Sequence, residues 1–178
     1  MTKYIQAAKG FDGKNNIEKL KNVLATNSKL LELGSGPGSD FKILNKQYQV
    51  TGSDYSIEFV QHLNSTYPND PFLQLNAATI DTDQKFDGIY SNKVLHHLTD
   101  DELADSIKRQ HEILNTNGIV CHSFWKGKGS EIFKGMFVNY HDESDLKSHF
   151  SQSFEILLLD EYTEFEENDS LLLIARNR

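Results

Sequence analysis

The chain has 178 residues and a formal net charge of -8, from 18 Lys and Arg against 26 Asp and Glu. That length buries a core as one domain without disulfides or metal staples, and the acidic balance repels a polyphosphate backbone, which argues against nucleic acid as a partner. The lone Cys121 excludes an internal disulfide framework, the opening MTKYIQAAKG lacks the apolar stretch of a secretory signal, and the longest apolar runs are strand-length, so a soluble cytoplasmic protein with no membrane partner is expected.

No internal repeat, low-complexity tract or linker interrupts the chain. Ile17, Leu20, Val23 and Leu24 recur at helical spacing before the Asn27-Ser28 break, and KLLEL (29–33) then reads as a buried strand. A second helix begins near Ser39 with Phe41 and Leu44, YQVTGSD follows as a strand, and Ser56 is placed to cap a helix that stops before Pro68. PFLQLN and FDGIYSN are two further strands, TDDE (99–102) offers a capping box for a helix to about Leu114, and Asn117-Gly118 turns the chain into the strand GIVCHSF. After a helical HDESDLKSHF, the runs FEILLLDEYTEF and SLLLIAR flank a short acidic turn and suit an antiparallel hairpin. This alternation predicts a mostly parallel sheet covered on both faces, with one antiparallel strand added by the hairpin.

In such a sheet, ligands bind beyond the carboxyl ends of the strands. GSGPG (34–38) stands at one of these ends, where Gly34, Gly36 and Gly38 keep side chains out of a ligand's way. The dinucleotide fingerprint needs a third glycine where this chain has Ser39, and Pro37 removes an N–H donor, so the loop suits an uncharged ligand segment better than a phosphate. Asp54, twenty residues beyond Gly34, can accept hydrogen bonds from both hydroxyls of a ribose. Nicotinamide enzymes use the same device, which keeps an NAD(P)-dependent oxidoreductase open as an alternative.

LLELGSGPGSD, TGSDYS, QLNAA, FDGIYSNKVLHHL and LNTNGIV occur in the order in which the class I S-adenosylmethionine-dependent methyltransferases carry their motifs, and the chain resembles that family over most of its length. The resemblance implies a doubly wound, Rossmann-like α/β fold in three αβα layers, with a seven-stranded mixed sheet of order 3-2-1-4-5-7-6 and strand seven antiparallel. It implies one methyltransferase domain over 1–178, S-adenosyl-L-methionine as cofactor and in-line methyl transfer. Glu32 and the backbone of Gly34 and Gly36 would hold the methionine part, Asp54 the ribose, and Asn76 with Ala77 the adenine edge, with Ser35, Gly38 and Tyr55 as further cofactor contacts. Ser91 completes the expected cofactor contacts, and Tyr4 and Phe11, in a lid over 1–14, would close the site. Asn76 departs from the aspartate usual in the family and accepts without charge assistance; a loop-end side chain bonding its own backbone is the competing reading.

Loss of positive charge from a sulfonium needs no metal, so positioning and desolvation dominate, and a general base helps only where the nucleophile is a hydroxyl. His96 and His97 after FDGIYSN, and His122 near the rim end of GIVCHSF, are the candidates for that base. His111 reads as a core-edge residue, and no spacing of His, Cys and acidic residues suggests a metal site. The absence of a Pro-Pro-aromatic run after Ser91-Asn92, together with the acidic balance, favours a small-molecule acceptor, bound by a monomer or homodimer. The segment 125–141 is the expected substrate wall, with Trp125, Lys126 and Tyr140 as contacts and Lys128 and Lys134 as further cations for an anionic or planar acceptor. A catalytically idle module that binds S-adenosylmethionine is the second alternative.

Overall fold

The computed structural model describes residues 11–178; Tyr4 lies outside them. In chain order the elements are α1 (Lys14–Leu20), β1 (Lys29–Leu33), α2 (Ser39–Leu44), β2 (Gln49–Asp54), α3 (Ile57–Thr66), β3 (Phe72–Gln74), β4 (Phe86–Asn92), a 3₁₀ turn Leu95–His97, α4 (Asp100–Ile113), β5 (Leu114–Trp125), β6 (Ser130–Phe133), β7 (Met136–Asn139), α5 (Glu143–Phe150), β8 (Phe154–Tyr162) and β9 (Ser170–Asn177). The main sheet runs β3-β2-β1-β4-β5-β9-β8, with β9 antiparallel to both neighbours. With the separate hairpin β6–β7 set aside, this is the order 3-2-1-4-5-7-6 expected from the motifs. No helix among the described residues is long and apolar enough to cross a membrane.

The central strands are buried on both faces, which is why KLLEL shows no alternation of apolar and polar residues. Successive residues serve opposite layers. Leu31, Ile89, Val120 and Leu173 pack with Leu103 and Ile107 of α4 and Leu146 and Phe150 of α5. Leu30, Ile119, Cys121 and Leu172 pack with Ile17 and Leu20 of α1 and Phe41 and Leu44 of α2. Helices therefore cover both faces of the sheet.

The TDDE box forms as expected: Thr99 Oγ1 accepts from the Glu102 N–H at 3.3 Å, and the Glu102 carboxylate accepts from the Thr99 N–H at 2.9 Å. Three elements depart from the sequence reading. The first helix ends at Leu20, leaving Val23 exposed while Leu24 is buried in the turn that follows. Asn117-Gly118 does not start β5 but lies inside it: Asn117 has φ 62 and the pairing with β4 jumps from Phe86↔Leu114 to Gly88↔Ile119. The segment 125–141 is not a plain loop, since β6 and β7 pair antiparallel across Lys134 and Gly135, whose φ of 50 and 81 are the two left-handed positions of a tight hairpin turn.

Candidate active site

The glycine loop leaves β1 and turns over the carboxyl end of β2. Its position is fixed by an exchange between the strands: the Ser35 N–H donates to the Ser53 carbonyl at 2.7 Å, and the Ser53 N–H donates back to Ser35 Oγ at 3.1 Å. The Gly36 N–H donates to Asp54 Oδ2 at 2.9 Å, and the Ser56 N–H to Oδ1 at 2.9 Å. Loop and acid thus adjoin on the wall of a cavity of about 550 Å³ lined by both, a volume within the usual range for small-molecule sites.

Gly34 has φ +70, and a β-carbon there would lie 2.4 Å from Val94 Cγ2 on the opposite wall. Gly36 also has positive φ, +51, but opens onto free space. Gly34→Ala is therefore expected to cost roughly 2 to 4 kcal/mol, from backbone strain plus displacement of Val94, against about 1 kcal/mol for Gly36→Ala. Urea melts of the two variants check the ordering; equal losses would show that Val94 yields freely.

Two acids sit beneath the loop. Glu32 is buried, with Oε2 accepting from Ser35 Oγ at 2.6 Å. Burial pushes its carboxyl up to about 8, the nearby Asp40 and Asp54 charges add to this, and the Ser35 hydroxyl opposes it. Asp40 is buried too and accepts from the Gly13 N–H at 2.7 Å, Tyr90 Oη at 2.7 Å and Asn92 Nδ2 at 3.0 Å. Burial raises its carboxyl, against the pull of these donors. Both acids line a recess of about 110 Å³ that shares Gly34 and Gly36 with the large cavity. It also shares Phe11 and Asn92 with a third cavity, of about 280 Å³, whose wall includes Asn16, Tyr162 and Glu164.

At the far end of the large cavity lie Leu75, Asn76 and Ala77. Asn76 Oδ1 accepts from the Ala78 N–H at 2.8 Å, so this side chain bonds its own backbone while also lining the cavity. A buried polar chain supports the same loop from behind. Ser106 Oγ donates to the Ala77 carbonyl at 2.6 Å, Gln110 Nε2 donates to Ser106 at 3.1 Å, and Gln110 Oε1 lies 2.7 Å from His122 Nε2. Since Gln110 Oε1 only accepts, His122 Nε2 carries the proton and Nδ1 accepts from Ser91 Oγ at 2.7 Å.

This network holds Ser91 and His122 away from the lining of the large cavity. His122 and Ser91 are buried behind the cavity and bonded to each other, with burial alone pushing the His122 imidazole down to about 3. His96 is also buried, its Nδ1 has no hydrogen-bond partner, and burial, with the neighbouring His97, Lys93 and His141, pushes it down to about 2. Of the three candidate bases, only His97 lines the large cavity. Its Nδ1 lies 2.7 Å from the Phe137 carbonyl and must donate to it, which leaves the lone pair on Nε2.

Residues 30–118, half of the chain, match the protein family described as a methyltransferase domain. The chain belongs to this family. A methyltransferase of Oceanobacillus iheyensis is 33% identical over 96 residues, covering 52% of this chain but only 44% of the relative's own length. A solved S-adenosylmethionine-dependent methyltransferase from Clostridium acetobutylicum has a TM-score of 0.82 at 12% identity, over 99% of this chain and 98% of its own. The 1,6-didemethyltoxoflavin-N1-methyltransferase of Burkholderia thailandensis, solved with 1,6-didemethyltoxoflavin and S-adenosylhomocysteine, has a TM-score of 0.78 at 20% identity, over 92% and 77% of the two chains. These solved structures share the fold of this chain.

The expected substrate wall is largely turned elsewhere. Trp125, Lys126 and Tyr140 line none of the three cavities. Lys126 pairs with Glu161, Lys128 with Asp142 at 3.3 Å, and the Tyr140 hydroxyl with Glu131 at 2.5 Å, so the cations meant for an anionic acceptor are mostly answered within the chain. From this segment Met136 reaches the large cavity instead. Phe11 packs tilted against Phe165 with ring centroids 4.9 Å apart, and Phe165 itself stacks on Trp125 at 5.7 Å.

Lys93 and Asp40 were missed in the sequence. Lys93, with φ 55, holds a strained left-handed turn directly after β4 and lines the large cavity. Its Nζ bonds Glu164 at 2.9 Å and Ser170 at 2.7 Å and sits 3.4 Å from the Trp125 ring centroid. Burial lowers its pKa against the pull of Glu164. A lysine after Ser91-Asn92 carries no sequence signal of such a role.

Proposed function

We propose that this chain is an S-adenosylmethionine-dependent methyltransferase acting on a small polar acceptor that carries an amine. The observation that supports it most is the Gly36 N–H bonded to Asp54 Oδ2, which puts a side-chain-free loop and a ribose-binding carboxylate on one cavity. The fit to a cationic amino acid nucleoside extends to the recess beside it, where the buried Glu32 and Asp40 have no lysine or arginine hydrogen-bond partner among the described residues. Asp54 holds the ribose, Asn76 and Ala77 bound the adenine, His97 and Met136 close that wall, and Glu32 with Asp40 attracts the ammonium and sulfonium charges. When bound, the cofactor supplies a methyl group on a sulfonium that needs no acid to leave.

The adjoining cavity of about 280 Å³ takes the acceptor. Asn16 Nδ2 donates to Tyr162 Oη at 3.3 Å, and Tyr162 Oη donates to Glu164 Oε2 at 3.2 Å, giving a polar wall with a carboxylate at its end. The Glu164 carboxylate is already paired with Lys93 at 2.9 Å, so this wall orients an acceptor by hydrogen bonds rather than by charge, and a neutral amine attacks without a dedicated base. The residues' contribution is then to orient the nucleophile and exclude water.

The experiment is a thermal-shift comparison followed by turnover. S-adenosylmethionine and S-adenosylhomocysteine raise Tm, NAD and NADP do not, and demethylated cofactor is released with members of an amine panel but not with carboxylates. Tyr162→Phe lowers kcat/KM for the acceptor about tenfold or more and leaves the Kd for S-adenosylhomocysteine within about twofold. Binding of the cofactor with no turnover on any acceptor would instead favour the idle binding module.

A further inference from the structure

Away from these cavities, one group of side chains among the described residues has its donor atoms gathered as a metal ion requires. One donor atom each from Asp100, His141 and His149 lies within 4.8 Å of the other two. Asp100 opens α4, His141 follows β7, and His149 stands in the last turn of α5. The three meet only because the hairpin returns the chain beside the start of α4, and α5 then packs against α4.

We infer that Asp100, His141 and His149 form a divalent-cation site, for which Zn²⁺ is the fitting ion. An ordinary ion pair accounts for two of the three: His149 Nε2 lies 3.8 Å from Asp100 Oδ1. It does not account for His141. That ring is 2% exposed, and its Nε2 is buried with no hydrogen-bond partner among the described residues, an arrangement that costs free energy unless something occupies the nitrogen.

The surroundings fit a ligand set. Asn139 Nδ2 donates to Asp100 Oδ1 at 2.8 Å and orients the carboxylate, as outer groups do around bound metals. Phe124 packs edge-on against His141 with ring centroids 5.5 Å apart, and His149 does so from another side at 5.8 Å. Two neutral imidazoles and a carboxylate are a usual zinc donor set, leaving a fourth position to water. Zinc bonds of about 2.0 to 2.2 Å put donors about 3.3 Å apart, so His149 and the exposed Asp100 would close by roughly half an ångström on binding. Their place on the surface makes that adjustment open to them. The ion would tie the foot of the β6–β7 hairpin to α4 and α5.

The test uses the full chain, stripped of metal and titrated with Zn²⁺ alone, and with Co²⁺ for its visible spectrum. We expect one equivalent to bind, a tetrahedral cobalt absorption band, and a rise in Tm of about 5 °C at a hundredfold excess over Kd. His149→Ala and Asp100→Asn, both changes near the surface, weaken binding about a hundredfold while the circular dichroism spectrum stays unchanged. Failure of the wild-type chain to bind Zn²⁺ or Co²⁺ at millimolar concentration overturns the site, and so does equal binding by both variants. Neither readout involves methyl transfer, so the outcome is independent of the proposed activity.

Discussion

Asp54→Asn is expected to lower affinity for S-adenosylhomocysteine about a hundredfold or more while the chain stays folded. Each carboxylate oxygen already accepts one backbone N–H, Oδ2 from Gly36 and Oδ1 from Ser56, both at 2.9 Å. These bonds turn the remaining lone pairs toward the cavity, where a diol offers two donors. The amide of asparagine breaks the arrangement whichever way it is placed, because its NH₂ must confront the N–H of either Gly36 or Ser56. A buried donor left without an acceptor costs about 1 to 3 kcal/mol, and each charge-assisted hydrogen bond to a ribose hydroxyl is worth about 1.5 to 3 kcal/mol. The first cost falls on the free protein and the complex alike and lowers stability, whereas losing one ribose bond and the charge assistance of the other comes to roughly 3 kcal/mol, which corresponds to about a hundredfold in Kd. Isothermal titration of both proteins with S-adenosylhomocysteine measures it. A change of threefold or less would mean that the ribose does not sit on Asp54, and the proposed placement of the cofactor would fall with it.

The parts of this site that could be read from the chain are those built by neighbours in sequence. GSGPG behind KLLEL, and an acid at the end of the next strand, announce a loop and a carboxylate at one rim because a parallel sheet brings consecutive strand ends together. TDDE is a local signal in the same sense. Asp40 is different: its donors come from Gly13, Tyr90 and Asn92, far along the chain, and in the sequence it is merely a polar residue early in a helix. His122 misleads for another reason. GIVCHSF lies in a strand buried on both faces, so no alternation marks which side chains point to the rim and which point into the packing. The β6–β7 hairpin was hidden by its turn, where Lys134 rather than Asn precedes Gly135 and takes the left-handed conformation. Asp100, His141 and His149 follow no metal-binding spacing, since tertiary packing alone unites them.

Glu32→Gln should make the free protein more stable at pH 8 and its complex with S-adenosylmethionine weaker. The carboxyl of Glu32 is raised from 4.5 to about 8 by burial first and by Asp40 next. For an acid raised in this way the folded chain keeps a proton that the unfolded chain gives up. The stabilisation is fully present below pH 4.5 and is lost progressively as pH rises to about 8. Glutamine can still accept from Ser35 Oγ but has no proton to lose, so it escapes the decline. The variant and the wild type should match near pH 4.5 and diverge to about 2 to 4 kcal/mol at pH 8, at about 1.4 kcal/mol per unit of pKa moved, discounted for relaxation of the site. A cation entering the recess reverses the balance, since it draws Glu32 into its ionised form. Wild-type affinity for S-adenosylmethionine should therefore climb with pH between 6 and 8, and binding at pH 7 should release close to one proton, measurable by calorimetry in buffers of different ionisation enthalpy. In the variant the proton release and most of the slope disappear, with a smaller dependence left to Asp40, whose carboxyl burial also raises. An unchanged melting profile at pH 8, or a variant that binds with the wild-type pH slope, would mean that this buried acid does not face the cofactor's charge.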